Sequence, residues 1–300
     1  MGNFRTDMAD ERVDTYKKVH NLSEIDGIKI KTSDEESVKV TTVDVLNENG
    51  KKAVGKDIGK YITIEISDIE YIEEKEKQKI ISKVSENIKS LIDEKIKSVM
   101  IVGLGNAKVT PDSLGPKVIS YTNVTRHMIK YAKEFVTPGT REISALSPGV
   151  MGTTGIETEE IIESVIKSVK PDLVIVIDSL ASSSVERLGR TIQIGNTGIT
   201  PGAGIGNKRH SLNKENLGVD VIAIGVPLVV DMATIASDTI DKIENKLNEK
   251  NSIKGLDKDK RREIISNVLD HKNLIVTPKE IDEMVLKISE IIASSLNVAI

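Results

Sequence analysis

Two aspartates stand where carboxylate chemistry could be done. Asp112 lies on a proline-bounded turn in "VGLGNAKVTPDSLGP" (102–116), and Asp178 closes the apolar run "LVIVID" (173–178). Both follow runs that read as strands, so both should emerge at the carboxyl edge of a sheet, where open parallel sheets build their sites. Each alone has an ordinary structural use: Asp112 could cap the following helix and Asp178 could hold a local turn. Together they offer more. Two neighbouring carboxylates share a proton, because the first charge opposes the second ionisation. One can then draw a proton from water while the other gives one to a carbonyl or a leaving amine.

The turn before Asp112 also has the look of a dinucleotide fingerprint, since Gly103-Leu104-Gly105 follows the apolar run 99–102. That fingerprint needs a third small residue at 108, where Lys108 stands, and a helix directly after the turn. Val109, Thr110 and Pro111 intervene and favour extended chain. The turn therefore reads as aiming Asp112 rather than holding phosphate. Other catalysts lack their partners. There is no G-x-S-x-G, no H-E-x-x-H and no P-loop, and Ser182, Ser183 and Ser184 have no evident base. The four histidines show no metal-ligand spacing, and His210, at a loop edge, has no assigned role. Glu157, Asp231 and Asp238 start or line helices and read as caps. No metal and no cofactor is expected.

Four loops assigned to the same sheet edge are rich in glycine and proline: 103–116, 147–158, 178–184 and 195–208. Gly103, Gly105, Asn106, Gly149, Gly152, Gly202 and Gly204 are the candidate cleft residues, since such backbone can approach a ligand closely. One such loop would read as a tight turn; four at one edge favour a substrate cleft.

The elements that must position these groups follow from periodicity. Residues 1–25 are polar and aperiodic and read as an arm. Residues 27–69 alternate apolar and polar, as half-buried antiparallel strands do, with a turn at Asn47-Glu48-Asn49-Gly50. From Glu73 the spacing becomes helical for about twenty residues. Apolar runs at 99–104, 143–146, 173–177, 191–194 and 221–226 then alternate with helical patterns at 117–134, 157–169 and 229–248. The expected fold is α/β: a mostly parallel sheet flanked by helices, with an N-terminal antiparallel β extension and a C-terminal helical segment. Residues 249–262 read as a charged linker. The last apolar stripe, Ile281 to Ile292, could face the core or another subunit.

Composition narrows the class. Cysteine is absent, which removes thiol catalysis, thiolate metal sites and disulfides and fits a reducing, cytoplasmic setting. A net charge of −4 with mixed signs gives no footprint for direct nucleic-acid binding, and 2% aromatics gives no stacking platform. No apolar run of membrane-spanning length is present, so no membrane role is expected.

Beyond single residues, the long motifs "VGLGNAKVTPDSLGPKV", "SALSPGVMGTTGIET", "PDLVIVIDSLAS", "TIQIGNTGITPGAGIGNKR" and "VIAIGVPLVVDMATIASDTID" resemble those of the germination proteases of spore-forming bacteria. "RTDMA" and the 40–66 segment fit as well, so the resemblance covers nearly the whole chain. It implies an endopeptidase that begins degradation of small acid-soluble spore proteins at germination, made as a zymogen and working as a homotetramer in the cytoplasm of the spore core. It also implies a fold related to the hydrogenase-maturation endopeptidases. The family's two catalytic aspartates fall on Asp112 and Asp178. Its self-processing pattern, acidic then apolar before alanine, falls on Asp7-Met8-Ala9. The implied organisation is a propeptide at 1–7, a catalytic α/β domain with its β region at 8–248, and a linker with helical segment at 249–300. A non-catalytic peptide-binding protein using the same cleft, or a metal-dependent maturation peptidase, are the alternatives.

Overall fold

The computed structural model describes residues 6–35, 38–66, 69–202, 210–247, 264–265 and 274–300. The alternating segment forms β1 (Ile28–Glu35), β2 (Val38–Val45) and β3 (Gly59–Ile66), an antiparallel meander in which Val40 sits opposite Ile64 and Val43 opposite Tyr61. The apolar runs form β4 (Ser98–Gly103), β5 (Glu142–Leu146), β6 (Leu173–Ser182), β7 (Thr191–Gly195) and β8 (Asp220–Asp231). All join one mixed sheet of order β1-β2-β3-β7-β8-β6-β4-β5, and β9 (Ile275–Val276) pairs with β8. Strands β5, β4, β6 and β8 are mutually parallel, while β7 runs antiparallel to β8 and to β3, and so joins the two halves.

Side chains alternate across this sheet, which explains its two apolar faces. Val99, Ile101, Ile175 and Ile177 point to a face covered by α3 (Glu74–Lys89), α4 (Leu114–Tyr121) and the last helix, α10 (Ile281–Ala299). Met100, Val102, Val174 and Val176 point to the other, covered by Ile162 and Ile166 of α7 (Thr158–Val169), by Leu212 and by Leu217 of α8 (Lys214–Leu217). The α10 stripe thus packs on the core, with Ile288, Ile291, Ile292 and Leu296 fully buried, and not on a second subunit.

Several expectations need correction. The polar N-terminus contains a helix, α1 (Ala9–His20), because Ala9 and Val13 pack into a small core with Val43, Val54 and Tyr61. Asn47-Glu48-Asn49-Gly50 is no hairpin turn: the Asn47 side chain accepts from Gly50 N at 2.9 Å and so caps α2 (Glu48–Val54). The pattern at 117–134 breaks into α4 and α5 (Arg126–Tyr131), and 229–231 belongs to β8 rather than to α9 (Met232–Leu247). Residues 178–182 are strand, not loop, since β6 pairs with β8 to its end past a bulge at Leu180/Ala181. The chain after Gly195 leaves the sheet at the opposite edge, because β7 is antiparallel; residues 196–202 fold back over the α7 face through the Ile199–Leu212 bridge, and 203–208 lie outside the described residues. The linker at 249–262 lies outside the described residues.

Candidate active site

The turn after β4 is held shut by close backbone approach. A Cβ on Gly103 would strike the carbonyl of Gly115, and one on Gly115 would strike Leu104, so strand end and helix start touch directly. Gly105 has φ +111°, and a Cβ there would run into the Asp112 carbonyl. The Asn106 N–H donates to both the Asp112 carbonyl and its Oδ2, each at 2.9 Å. That bond fixes the carboxylate over the glycine turn, on a 3-10 turn, Thr110–Asp112, that precedes α4.

Asp178 is brought alongside by strand pairing. Gly103 lies opposite Ile177, and the Leu104 N–H donates to the Ile177 carbonyl at 2.8 Å, so the next residue of β6 sits beside the glycine turn. Asp178 is 6% exposed and its Oδ1 accepts from Ser179 N at 2.9 Å. It follows Val174 and Val176 on the α7 face. Asp112 and Asp178 both line one cavity of about 400 Å³.

The rest of the wall comes from distant segments. Gly105, Pro201 and Gly202 contribute backbone, and Val150, Leu104, Leu212 and Val229 make it largely apolar. Ser179 and Thr277 line it too, and their buried hydroxyls have no hydrogen-bond partner among the described residues, which leaves them available to a polar ligand. Of the remaining expected cleft residues, Gly103, which ends β4, and the loop residues Asn106 and Gly149 are not among those lining the cavity. Gly152 sits in α6 (Met151–Thr154) facing open space, and Gly204 lies outside the described residues.

Glu157 also lines the cavity. It occupies the N-cap position of α7 but makes no side-chain cap bond, which corrects the capping expectation; glutamate is too long for the short reach that favours aspartate, serine and asparagine there. Asp231, by contrast, accepts from Thr234 N at 3.2 Å and caps α9 as expected, and Asp238 falls within that helix. His210 lies at the rim, its Nδ1 3.7 Å from Glu159 Oε2, and burial pushes the Glu159 carboxyl up while His210 pulls it down. Among the described residues, no group of three or more His, Asp or Glu side chains could hold a metal ion, and no helix is long and apolar enough to cross a membrane.

A third aspartate reaches the cavity, and local sequence gave no sign of it there. Asp7 pairs with the end of β6: its N–H donates to Ala181 O, and its Oδ2 accepts from Ala181 N, both at 2.9 Å. The Asp7 carbonyl accepts from Lys56 Nζ at 2.6 Å and from Gln193 Nε2 at 3.1 Å. Met8 and Ala9 beyond it are fully buried, so the Asp7–Met8 bond lies inside the protein.

A family profile described as germination protease matches residues 5–254. The chain is 46% identical to the germination protease of Clostridium tetani, over 99% of this chain and 95% of that one. It is 46% identical to that of Caldanaerobacter subterraneus subsp. tengcongensis, over 99% and 94%, and 40% identical to that of Bacillus velezensis, over 99% and 93%. Among solved structures it aligns with a [NiFe] hydrogenase maturation protease from Thermococcus kodakarensis at 20% identity and a TM-score of 0.34, over 70% of this chain and 98% of that one.

Proposed function

Because the chain belongs to the germination protease family, and is accordingly a protease, we propose that it hydrolyses peptide bonds with Asp112 and Asp178 as a proton-sharing pair. One observation carries this reading: both carboxylates line the same apolar-walled cavity, each oriented by a backbone N–H. In this mechanism the ionised member takes a proton from water, and the water oxygen attacks the scissile carbonyl. The protonated member gives its proton to the carbonyl oxygen; the proton taken from water then passes to the leaving amine as the C–N bond breaks, and the gem-diol returns one proton to the pair. The free hydroxyls of Ser179 and Thr277 suit the backbone of an extended peptide.

The finer parts of the reading rest on the resemblance of the motifs. The substrates are small acid-soluble spore proteins, the setting is the spore core, and the working form is a homotetramer. Residues 1–7 are a propeptide, 8–248 hold the chemistry, and the 249–300 segment supplies α10 as a buttress. The chain cuts itself between Asp7 and Met8, and the shortened form is the active one.

Incubation with a purified small acid-soluble spore protein, with and without chelator, tests the reading. Cleavage that survives the chelator supports it. Binding without cleavage would mean a peptide-binding protein, and cleavage lost with the chelator would mean a metal peptidase.

A further inference from the structure

Thr6 and Asp7 lie in a seat built for them. Arg12 Nε donates to the Thr6 carbonyl at 2.9 Å, Lys56 and Gln193 donate to the Asp7 carbonyl, and Ala181 exchanges bonds with the Asp7 N–H and carboxylate. Thr6 is 3% exposed, and its hydroxyl donates to Glu11 Oε2 at 2.5 Å. The Asp7 carbonyl, N–H and carboxylate are each met by a group of the folded domain; one of these groups, Lys56, is a cation, and a second cation, Arg12, holds the neighbouring Thr6 carbonyl.

This deepens the self-processing reading and rests on it. Hydrolysis adds one water across the Asp7–Met8 bond. The carbonyl that Lys56 grips becomes an α-carboxylate, and the Met8 nitrogen takes a proton and becomes an ammonium. A neutral acceptor on a lysine thus turns into an anion on a lysine, and charge-assisted bonds are shorter and stronger than neutral ones. The cut therefore strengthens the grip on the fragment it creates. We propose that the Lys56–Gln193–Ala181 seat is a binding site for a peptide ending in a free aspartate, and that fragment 1–7 stays bound there after cleavage, with its Asp7 side chain still in the cavity. Cleavage and activation are then separate events, the second being departure of the fragment. Burial holds the Lys56 ammonium to a pKa of about 8, so at neutral pH it carries the charge this seat needs.

The test has two arms. In the first, wild-type protein is followed by mass spectrometry under denaturing and native conditions. Denaturing spectra report the cut, and native spectra report whether fragment 1–7 remains. Retention after the cut, with release at least ~10-fold faster in Lys56→Met, supports the seat; immediate loss of the fragment from cut wild-type protein overturns it. An uncut chain would be a failure of the self-processing reading, and the second arm does not depend on it. There, residues 1–7 are replaced by the recognition sequence of an added site-specific protease, and the folded chain is trimmed to Met8. The labelled peptide Met-Gly-Asn-Phe-Arg-Thr-Asp is then titrated by fluorescence anisotropy, with a free or an amidated C-terminus. The free acid should bind at least ~10-fold tighter than the amide, and Lys56→Met or, separately, Gln193→Met should cut that preference to about twofold or less. Equal binding of acid and amide, or a preference untouched in both variants, would overturn the seat.

Discussion

The parallel half of the sheet and its antiparallel half hold their functional residues by different physics. On the parallel side, Asp112 and Asp178 are placed by backbone: glycine contacts, a 3-10 turn and strand register. On the antiparallel side, the N-terminal arm is placed by buried charge. Arg187 meets Asp10 at 2.7 Å and Glu11 at 3.5 Å, and Glu11 also accepts from Ser182 Oγ at 2.6 Å and from Ser183 N at 2.8 Å. Backbone placement makes a rigid site, whereas charge placement makes a dock that a change of charge can tighten or loosen. The two halves meet at Ala181, where the arm joins the strand that carries Asp178.

If this contrast is right, the largest loss of stability follows damage to the glycine turn. Gly105→Ala puts a Cβ into the Asp112 carbonyl at a left-handed φ and should cost about 3 kcal/mol or more in denaturant unfolding. A cost below 1 kcal/mol would show that the turn is looser than its contacts imply. Next comes the charge dock. Arg187→Met leaves Asp10 and Glu11 without their cation and should cost about 2–3 kcal/mol, with the arm becoming more open to added protease. Unchanged stability would move the arm's anchorage elsewhere.

Lys56 sharpens the comparison through pH. The folded chain releases its proton near pH 8, and the unfolded chain near 10.5, so burying the ammonium costs stability in full below pH 8. That cost fades as pH rises from 8 to 10.5, because there the unfolded state alone holds the proton. Lys56→Met should therefore gain most over wild type at pH 7 and least near pH 10, as read by paired unfolding curves. A gap independent of pH would mean that the ammonium is well solvated. The smallest effects belong to positions that touch nothing: Gly152→Ala, with no atom within 4 Å of the new Cβ, should stay within about 0.5 kcal/mol of wild type.

The same contrast decides what could be read from sequence. Runs such as "LVIVID" and the 28–66 alternation carry their partners' positions in their own periodicity, so β1 to β8 and both aspartates were legible. Asp7 in the cavity was not, because its partners lie at Lys56, Ala181 and Gln193, and no local pattern encodes contacts that distant. The α1 helix was missed for the same reason: its charged residues Asp10, Glu11 and Arg12 make the segment polar and aperiodic, like an arm, yet they are buried against partners supplied by the fold. The antiparallel direction of β7 was also hidden, since strand periodicity has no sign: the chain after Gly195 leaves the sheet at the other edge, and Pro201 and Gly202 reach the cavity only by folding back. Glu157 was legible as a helix start but not as a cavity residue.

The central claim is that Asp112 and Asp178 perform the hydrolysis together. It is tested most directly by measuring turnover of a small acid-soluble spore protein by Asp112→Asn and Asp178→Asn, alongside their thermal stability. Asparagine keeps the size of each side chain but cannot exchange the proton. Each variant should melt within a few degrees of wild type and lose turnover by at least ~10²-fold, the scale of lost general acid–base help. Near-normal turnover in either variant would contradict the two-aspartate mechanism.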